Sequence, residues 1–185
     1  MRHWLSKRHL PVVPVITFVS AVSLFVASPA IAGADRIRAE GELVRYDTAA
    51  VPEDARARVQ AVYTAAGDSI VTLHVWGMRP NTEYGAHAHT NTCGATGLAA
   101  GPHFQNLIDP VQPSTNPAYA NPTNEIWLDL VTDADGNGEA QTKVPWQFSP
   151  QRAAHSVIIH VEHTHTGPTD SGVAGARLAC LTVGF

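Results

Sequence analysis

The chain has 185 residues, room for one globular domain and a short extra segment, and carries 12 Lys+Arg against 16 Asp+Glu for a formal charge of −4. That balance excludes nucleic acid as a partner, which asks for a basic face. It also means that a site for an anion must bring its own local positive charge.

In chain order, Arg2, Lys7 and Arg8 come first, ahead of an uncharged apolar run over 12–27. Ser28-Pro29-Ala30-Ile31-Ala32 then ends in a small-residue cleavage pattern. Residues 1–32 read as a secretory signal cut after Ala32. An uncleaved anchor is the alternative, although the run is short for a spanning helix of ~20 residues. Cleavage removes three basic residues and no acidic one, taking the formal charge from −4 to −7. The destination is the periplasm, the cell surface or the medium, with no membrane attachment after cleavage. In that oxidising setting Cys93 and Cys180 read as a disulfide, the alternative being two buried thiols. Such a bridge would close a long loop, worth ~4–5 kcal/mol in the chain-entropy description.

Beyond the leader, short alternating stretches and turn residues dominate, and no long window holds a helical period. A strand is expected over 42–46, a single helical turn within the polar 52–58, and a second strand over 59–64. The alternation is clearest over 69–76, where Val71, Leu73 and Val75 share one face and Thr72, His74 and Trp76 the other. A turn around Pro80-Asn81 leads to a strand carrying His87 and His89. Residues 90–124 hold no sustained pattern and five prolines from Pro102 to Pro122; an irregular stretch of this length in a compact domain is usually functional. A strand follows over 125–132, with Ile126, Leu128 and Leu130 on one face. Asp133-Ala134-Asp135-Gly136-Asn137-Gly138 begins like a calcium loop, but the position for the bidentate Glu is Val144 and strands flank it, so it reads as a hairpin turn. Further strands are expected over 139–144, 157–161 and 176–183, with a second irregular loop over 164–175. About eight short strands point to an antiparallel sandwich or barrel, with the domain running over 37–185.

The chemistry concentrates in the histidines. Two residues apart on a strand, His87 and His89 point the same way. His103 and His160 would complete an all-nitrogen shell, and four imidazoles in a tetragonal arrangement favour copper(II). His74 and His155 read as ordinary surface or packed histidines.

Gly85-Ala86-His87-Ala88-His89, then Cys93, then Gly101-Pro102-His103-Phe104 resembles the first signature of the copper/zinc superoxide dismutases. Gly175-Ala176-Arg177-Leu178-Ala179-Cys180 resembles the second, and Val157-Ile158-Ile159-His160 is similar to the strand bearing the last copper ligand. The likeness runs from about Leu43 to Phe185. It implies an eight-stranded antiparallel Greek-key barrel with two long functional loops, a fold the family shares with other sandwiches. It further implies copper on His87, His89, His103 and His160, and a disulfide between Cys93 and Cys180. His103 would release copper and take a proton when copper is reduced, and Arg177 would guide and hold the superoxide anion. A guanidinium is always charged and offers several donors to a small oxyanion.

Two departures stand out. Residues 104–132 contain no histidine, and alignment on Asp135-Gly136 places Thr123 and Ile126 near two of the family's zinc positions. The span from His160 to Arg177 is short beside the family's electrostatic loop. Both features resemble the family's copper-only branch, so zinc is expected to be absent. Something else must then orient His103, since a ligating imidazole normally has a carboxylate or carbonyl on its other nitrogen. Glu125 or Asp129 is the candidate, a solvated acid being the alternative. His163 and His165 form a second His-x-His pair, open to reading as a weak zinc site, a copper entry point or plain surface. The expected function is copper-dependent disproportionation of superoxide to dioxygen and hydrogen peroxide by an exported antioxidant enzyme. The alternative is an exported copper-binding or copper-buffering protein of the same fold with little turnover. The residues set no oligomeric state.

Overall fold

A computed structural model describes Met1 and residues 35–185, so the leader expected over 1–32 lies outside the described residues. Residues 35–185 fall within one compact unit, Gly33–Phe185. Among the described residues no helix is long and apolar enough to cross a membrane.

The described chain is all-β, in two antiparallel sheets. One has four strands in the order β1 (Asp35–Glu42), β3 (Arg56–Tyr63), β4 (Ser69–Trp76), β7 (Gly138–Val144). The other has five, in the order β2 (Val44–Arg45), β9 (Arg177–Thr182), β8 (Ser156–His160), β5 (Glu83–His89), β6 (Leu130–Val131). The neighbours out of sequence order are the crossovers of a Greek key. Alternation explains the layers. In β4, Val71, Leu73 and Val75 are buried while Thr72, His74 and Trp76 are partly exposed. The inward residues of β3, Ala57, Val59 and Ala61, meet Ala86, Ala88, Val157, Ile159, Ala179 and Leu181 of the five-stranded sheet in one core.

Three expectations are corrected. The strand expected over 42–46 is two elements, because Leu43 turns inward, donates its N–H to the Ala55 carbonyl, and sends the chain from one sheet to the other. No helical turn forms in 52–58: Val51 and Ala55 are fully buried and β3 begins at Arg56, so burial of the inward residues overrides local polarity. The strand over 125–132 is regular only at Leu130–Val131. Upstream of it, Ile126 and Leu128 still bond Ala88 and Ala86 of β5, as an interrupted ladder. In addition, β1 pairs with β3 along its whole length, a strand that the sequence reading did not include.

Residues 90–124 are ordered around the same edge of β5. After a 3-10 turn at Gly97–Ala100, the chain returns so that the Phe104 N–H donates to the Ala88 carbonyl and Thr90 N–H to that of Pro102. Ala88 therefore bonds two different segments with its two backbone groups, donating to Ile126 and accepting from Phe104, the residue next to His103.

Candidate metal centre

The two faces of β5 divide the work. Ala86 and Ala88 point into the inter-sheet core, so Gly85, His87 and His89 share the outer face. On β8, His160 stands directly opposite Gly85, and directly opposed residues share a face. The missing side chain at Gly85 leaves room for the second loop, whose Glu162 carbonyl oxygen would stand 2.5 Å from a Cβ there. On β9 the register slips beside His160: Leu178 and Ala179 are neighbours, yet both are core residues. This bulge turns Arg177 away from the core and pairs it with His160. His103 arrives from the long loop and bridges to His89. Four rings drawn from two strands and a loop thus meet outside the five-stranded sheet.

His87, His89, His103 and His160 each offer a ring nitrogen within 4.8 Å of the others, a group able to hold a metal ion. The ring centroids lie 4.1 Å apart for His87–His103, 4.8 Å for His89–His103, 4.9 Å for His87–His160 and 5.7 Å for His89–His160. The two remaining separations are the longest, 6.4 Å for His87–His89 and 6.0 Å for His103–His160. Four shorter sides and two longer diagonals describe a quadrilateral, the arrangement four-coordinate copper(II) prefers.

The outer nitrogens are all engaged. His89 Nδ1 faces the Gly101 carbonyl at 2.9 Å, His160 Nδ1 the Gly175 carbonyl at 3.3 Å, and His103 Nδ1 the Glu125 Oε2 at 2.8 Å. That leaves Nε2 of each pointing inward, and Nε2 of His89 and His160 are 3.5 Å apart. His87 is the other way round. Its Nε2 meets Thr164 Oγ1 at 2.6 Å, and its Nδ1 is fully buried with no hydrogen-bond partner. A buried, unpaired imidazole nitrogen is costly unless it binds something. The residues therefore fit a metal, with the chemistry of the donors consistent with copper.

Burial keeps His87, His89 and His160 neutral. The pKa of His87 is held well below the ordinary imidazole range by desolvation first, then by His103, His160, His89 and Arg177. His89 is lowered well below it too, by desolvation and then His103 and Arg177. Desolvation, then His103, pushes His160 down to about 3. Three of the four rings thus present lone pairs without first losing a proton, which a metal would otherwise have to displace.

Glu125 is 1% exposed and satisfied on both oxygens. Oε2 accepts from His103 Nδ1 and from Trp127 Nε1 at 2.7 Å, while Oε1 accepts from Gln105 Nε2 at 2.7 Å. Asp129, the other acid considered for His103, bonds elsewhere: Oδ1 takes the Ala86 N–H and the Thr164 hydroxyl. Arg177 is half-buried, which lowers its pKa, and donates Nη1–H to the Gly97 carbonyl at 2.7 Å. It lines a small cavity with His103 and Glu125. Cys93 and Cys180 are joined in a disulfide, tying the long loop to β9. His163 and His165 lie outside the cluster; His165 sits between Asp170 at 2.9 Å and Glu162 at 3.3 Å, using different nitrogens. His74 stacks on Trp76 on the far sheet, and His155 is exposed. Thr164, Gln105 and Trp127 were not singled out from sequence. Neither a threonine nor a glutamine in an irregular loop carries a local signal, and Trp127 stood only as part of a strand.

No family model matches the chain. A curated Cu-Zn superoxide dismutase of Francisella tularensis subsp. holarctica (strain LVS) is 30% identical over 115 residues, which is 60% of this chain and 61% of that protein. The match thus spans about three-fifths of the relative's length. Among solved structures, the Cu/Zn superoxide dismutase from Brucella abortus superposes with a TM-score of 0.55 at 18% identity, covering 79% of this chain and 98% of that one. The clock protein EA4 superposes with a TM-score of 0.54 at 20% identity, covering 80% and 92%. At such identities the solved structures speak for the fold alone. The chain therefore has the Greek-key fold of the copper/zinc superoxide dismutases and, in its sequence, a resemblance to that family.

Proposed function

We propose that the chain is a copper-dependent superoxide dismutase of the copper-only kind, acting outside the cytoplasm through its 37–185 domain after removal of a leader over 1–32. The observation that carries this is the set of four inward imidazole nitrogens, each backed by an engaged outer nitrogen, with His87 Nδ1 buried and unpaired. His87 would bind through Nδ1, and His89, His103 and His160 through Nε2. Copper held there would supply the one-electron cycling that turns two superoxide anions and two protons into dioxygen and hydrogen peroxide.

The chain's own groups do the rest. Arg177, re-aimed by the bulge, stands next to His160 and offers the anion a fixed positive charge, which an acidic protein must provide locally. Its bond to the Gly97 carbonyl fixes the guanidinium in place. His103 is the least buried of the four rings, its side chain 17% exposed, so it is the one placed to exchange a proton with solvent. With Nδ1–H held by Glu125, Nε2 is the atom of that ring that can take and hand on a proton. The same contact occupies the nitrogen that a ring-bridged zinc would need, which supports a centre that works with copper alone. The disulfide suits an oxidising compartment.

The test is superoxide decay and metal content of the purified domain, with and without Arg177→Ala. Copper-loaded protein should speed the decay, and the variant should slow it while still holding one copper per chain. Copper bound with no effect on decay would leave a copper-buffering protein in place of an enzyme.

A further inference from the structure

The segment that carries His103 borders two cavities. Arg177 and Glu125 line one of them, the small cavity at the metal centre. The other has a volume of about 310 Å³, at the low end of the range of small-molecule pockets, roughly 300–1,000 Å³. Pro102, Phe104 and Pro150 give it flat apolar surfaces, with Ile108 beside them. Ile108 is 58% exposed, and its loop neighbours Leu107 and Val111 are exposed too, so an apolar stretch of the long loop runs along this cavity. No acid lines it, and its fixed charge is Arg152. The guanidinium stands 5.5 Å from the centre of the Phe104 ring. It is held there by Nη2, which donates to the Gln105 carbonyl at 2.7 Å and the Asn106 carbonyl at 3.0 Å. Neutral carbonyls fix the group without cancelling its charge. Arg38, Arg56 and Arg58 each have a glutamate partner, whereas Arg152 has no carboxylate partner among the described residues. In a chain of formal charge −4, a fixed guanidinium kept clear of carboxylates beside an apolar cavity suits an anion brought in from outside.

We propose that this cavity binds a small organic carboxylate with a flat apolar body, the anion on Arg152 and the body against Phe104 and the two prolines. Charge and lining together set that class. An inorganic anion would use the guanidinium and leave the apolar surfaces wet. A neutral apolar molecule would cover those surfaces and strip water from the guanidinium without replacing it, which is costly. Arg152 keeps Nη1 and Nε for the ligand, since its two bonds to the chain both come from Nη2. The site is distinct from the place where superoxide would be held, because Arg177 does not line it. An occupant would rest on Pro102, Phe104 and Gln105, the residues around His103, and so on the segment that places that ring. Nothing in the proposal requires a metal ion.

The test is amide NMR of the metal-free protein titrated with benzoate, and separately with acetate and benzyl alcohol. Benzoate should give saturable shifts at Phe104, Gln105, Ile108, Arg152 and Ala153. Acetate, which lacks the apolar body, and benzyl alcohol, which lacks the charge, should each bind about tenfold more weakly or worse. Arg152→Gln should weaken benzoate by about tenfold or more, the fold-change of one hydrogen bond between charged groups. That variant also loses the clamp on the Gln105 and Asn106 carbonyls, so Ile108→Asp is the companion. Its position is exposed, so folding tolerates the change, and it sets a like charge beside the bound carboxylate; the same loss of affinity is expected. No saturable shift with millimolar benzoate, equal binding of acetate or benzyl alcohol, or unchanged affinity in either variant would overturn the proposal. Shifts centred on Gly97, Ala176 and Arg177 would overturn it as well, by placing the benzoate on the other arginine. A protein that binds benzoate in this cavity but holds no copper would instead remove the copper reading and leave the site standing.

Discussion

Glu125→Gln is the sharpest probe of how the centre is held. The carboxylate accepts three bonds in a site 1% exposed, two on Oε2 and one on Oε1. A glutamine has one acceptor oxygen and one donor NH2. Its best orientation keeps the oxygen toward His103 and Trp127, which sets its NH2 against the NH2 of Gln105. Gln105 cannot turn over to help, because its Oε1 already accepts from the Asp109 N–H and from Gln112 Nε2. Turning two charge-assisted bonds into neutral ones loses about 1 kcal/mol each, and an unmatched buried donor costs about 1–3 kcal/mol. Relief of the buried charge offsets part of this, for a net loss of about 2–4 kcal/mol. At about 2–4 °C per kcal/mol for a domain of this size, the melting temperature of the disulfide-intact, metal-free domain should fall by roughly 4–16 °C. Copper affinity should fall 10–100-fold, since His103 loses its anionic orienter. Scanning calorimetry and chelator competition read the two effects. A melting temperature within 2 °C of wild type, with copper affinity unchanged, would refute the reasoning.

Three further outcomes are expected. The metal-free domain should lose stability in acid: His160 has a folded-state pKa of about 3 against an ordinary 6.5, so the unfolded chain binds the extra proton and stability falls as pH drops from about 6.5 toward 3, being fully present above 6.5. Urea midpoints across that range check it, and a flat profile would contradict it. Reducing the Cys93–Cys180 bond, which closes an 87-residue separation, should lower stability by ~4–5 kcal/mol in the chain-entropy description, measured by denaturant unfolding with and without reductant. Gly85→Ala should displace the second loop, cost about 1–3 kcal/mol through overpacking, and raise amide exchange at Glu162 and His165.

What could be read from the residues follows from how locally each feature is determined. The alternation in β4 is legible because one face is buried along its full length. The strand β1 escapes notice because it is an edge strand with a charged, mostly exposed pattern, and only its partner β3 makes it a strand. The polar 52–58 looked helical because nothing local announces that Val51 and Ala55 are buried. At the site, the four histidines stand out by type and spacing. Glu125 and Asp129 were legible as two candidates for one task, and the fold gives them different ones: Glu125 meets His103 directly, while Asp129 reaches His87 through Thr164. Thr164 was beyond reach, since only the closure of the second loop over Gly85 brings it 2.6 Å from a ring 77 residues away.

The central claim is that four imidazoles share one copper ion. Electron paramagnetic resonance of the domain titrated with one equivalent of copper(II) tests it most directly, with single His→Ala substitutions at positions 87, 89, 103 and 160. A single tetragonal species with nitrogen hyperfine structure, changed by each of the four substitutions, is the expected result. Substoichiometric copper, an oxygen-dominated signal, or a spectrum indifferent to His103 or His160 would contradict it.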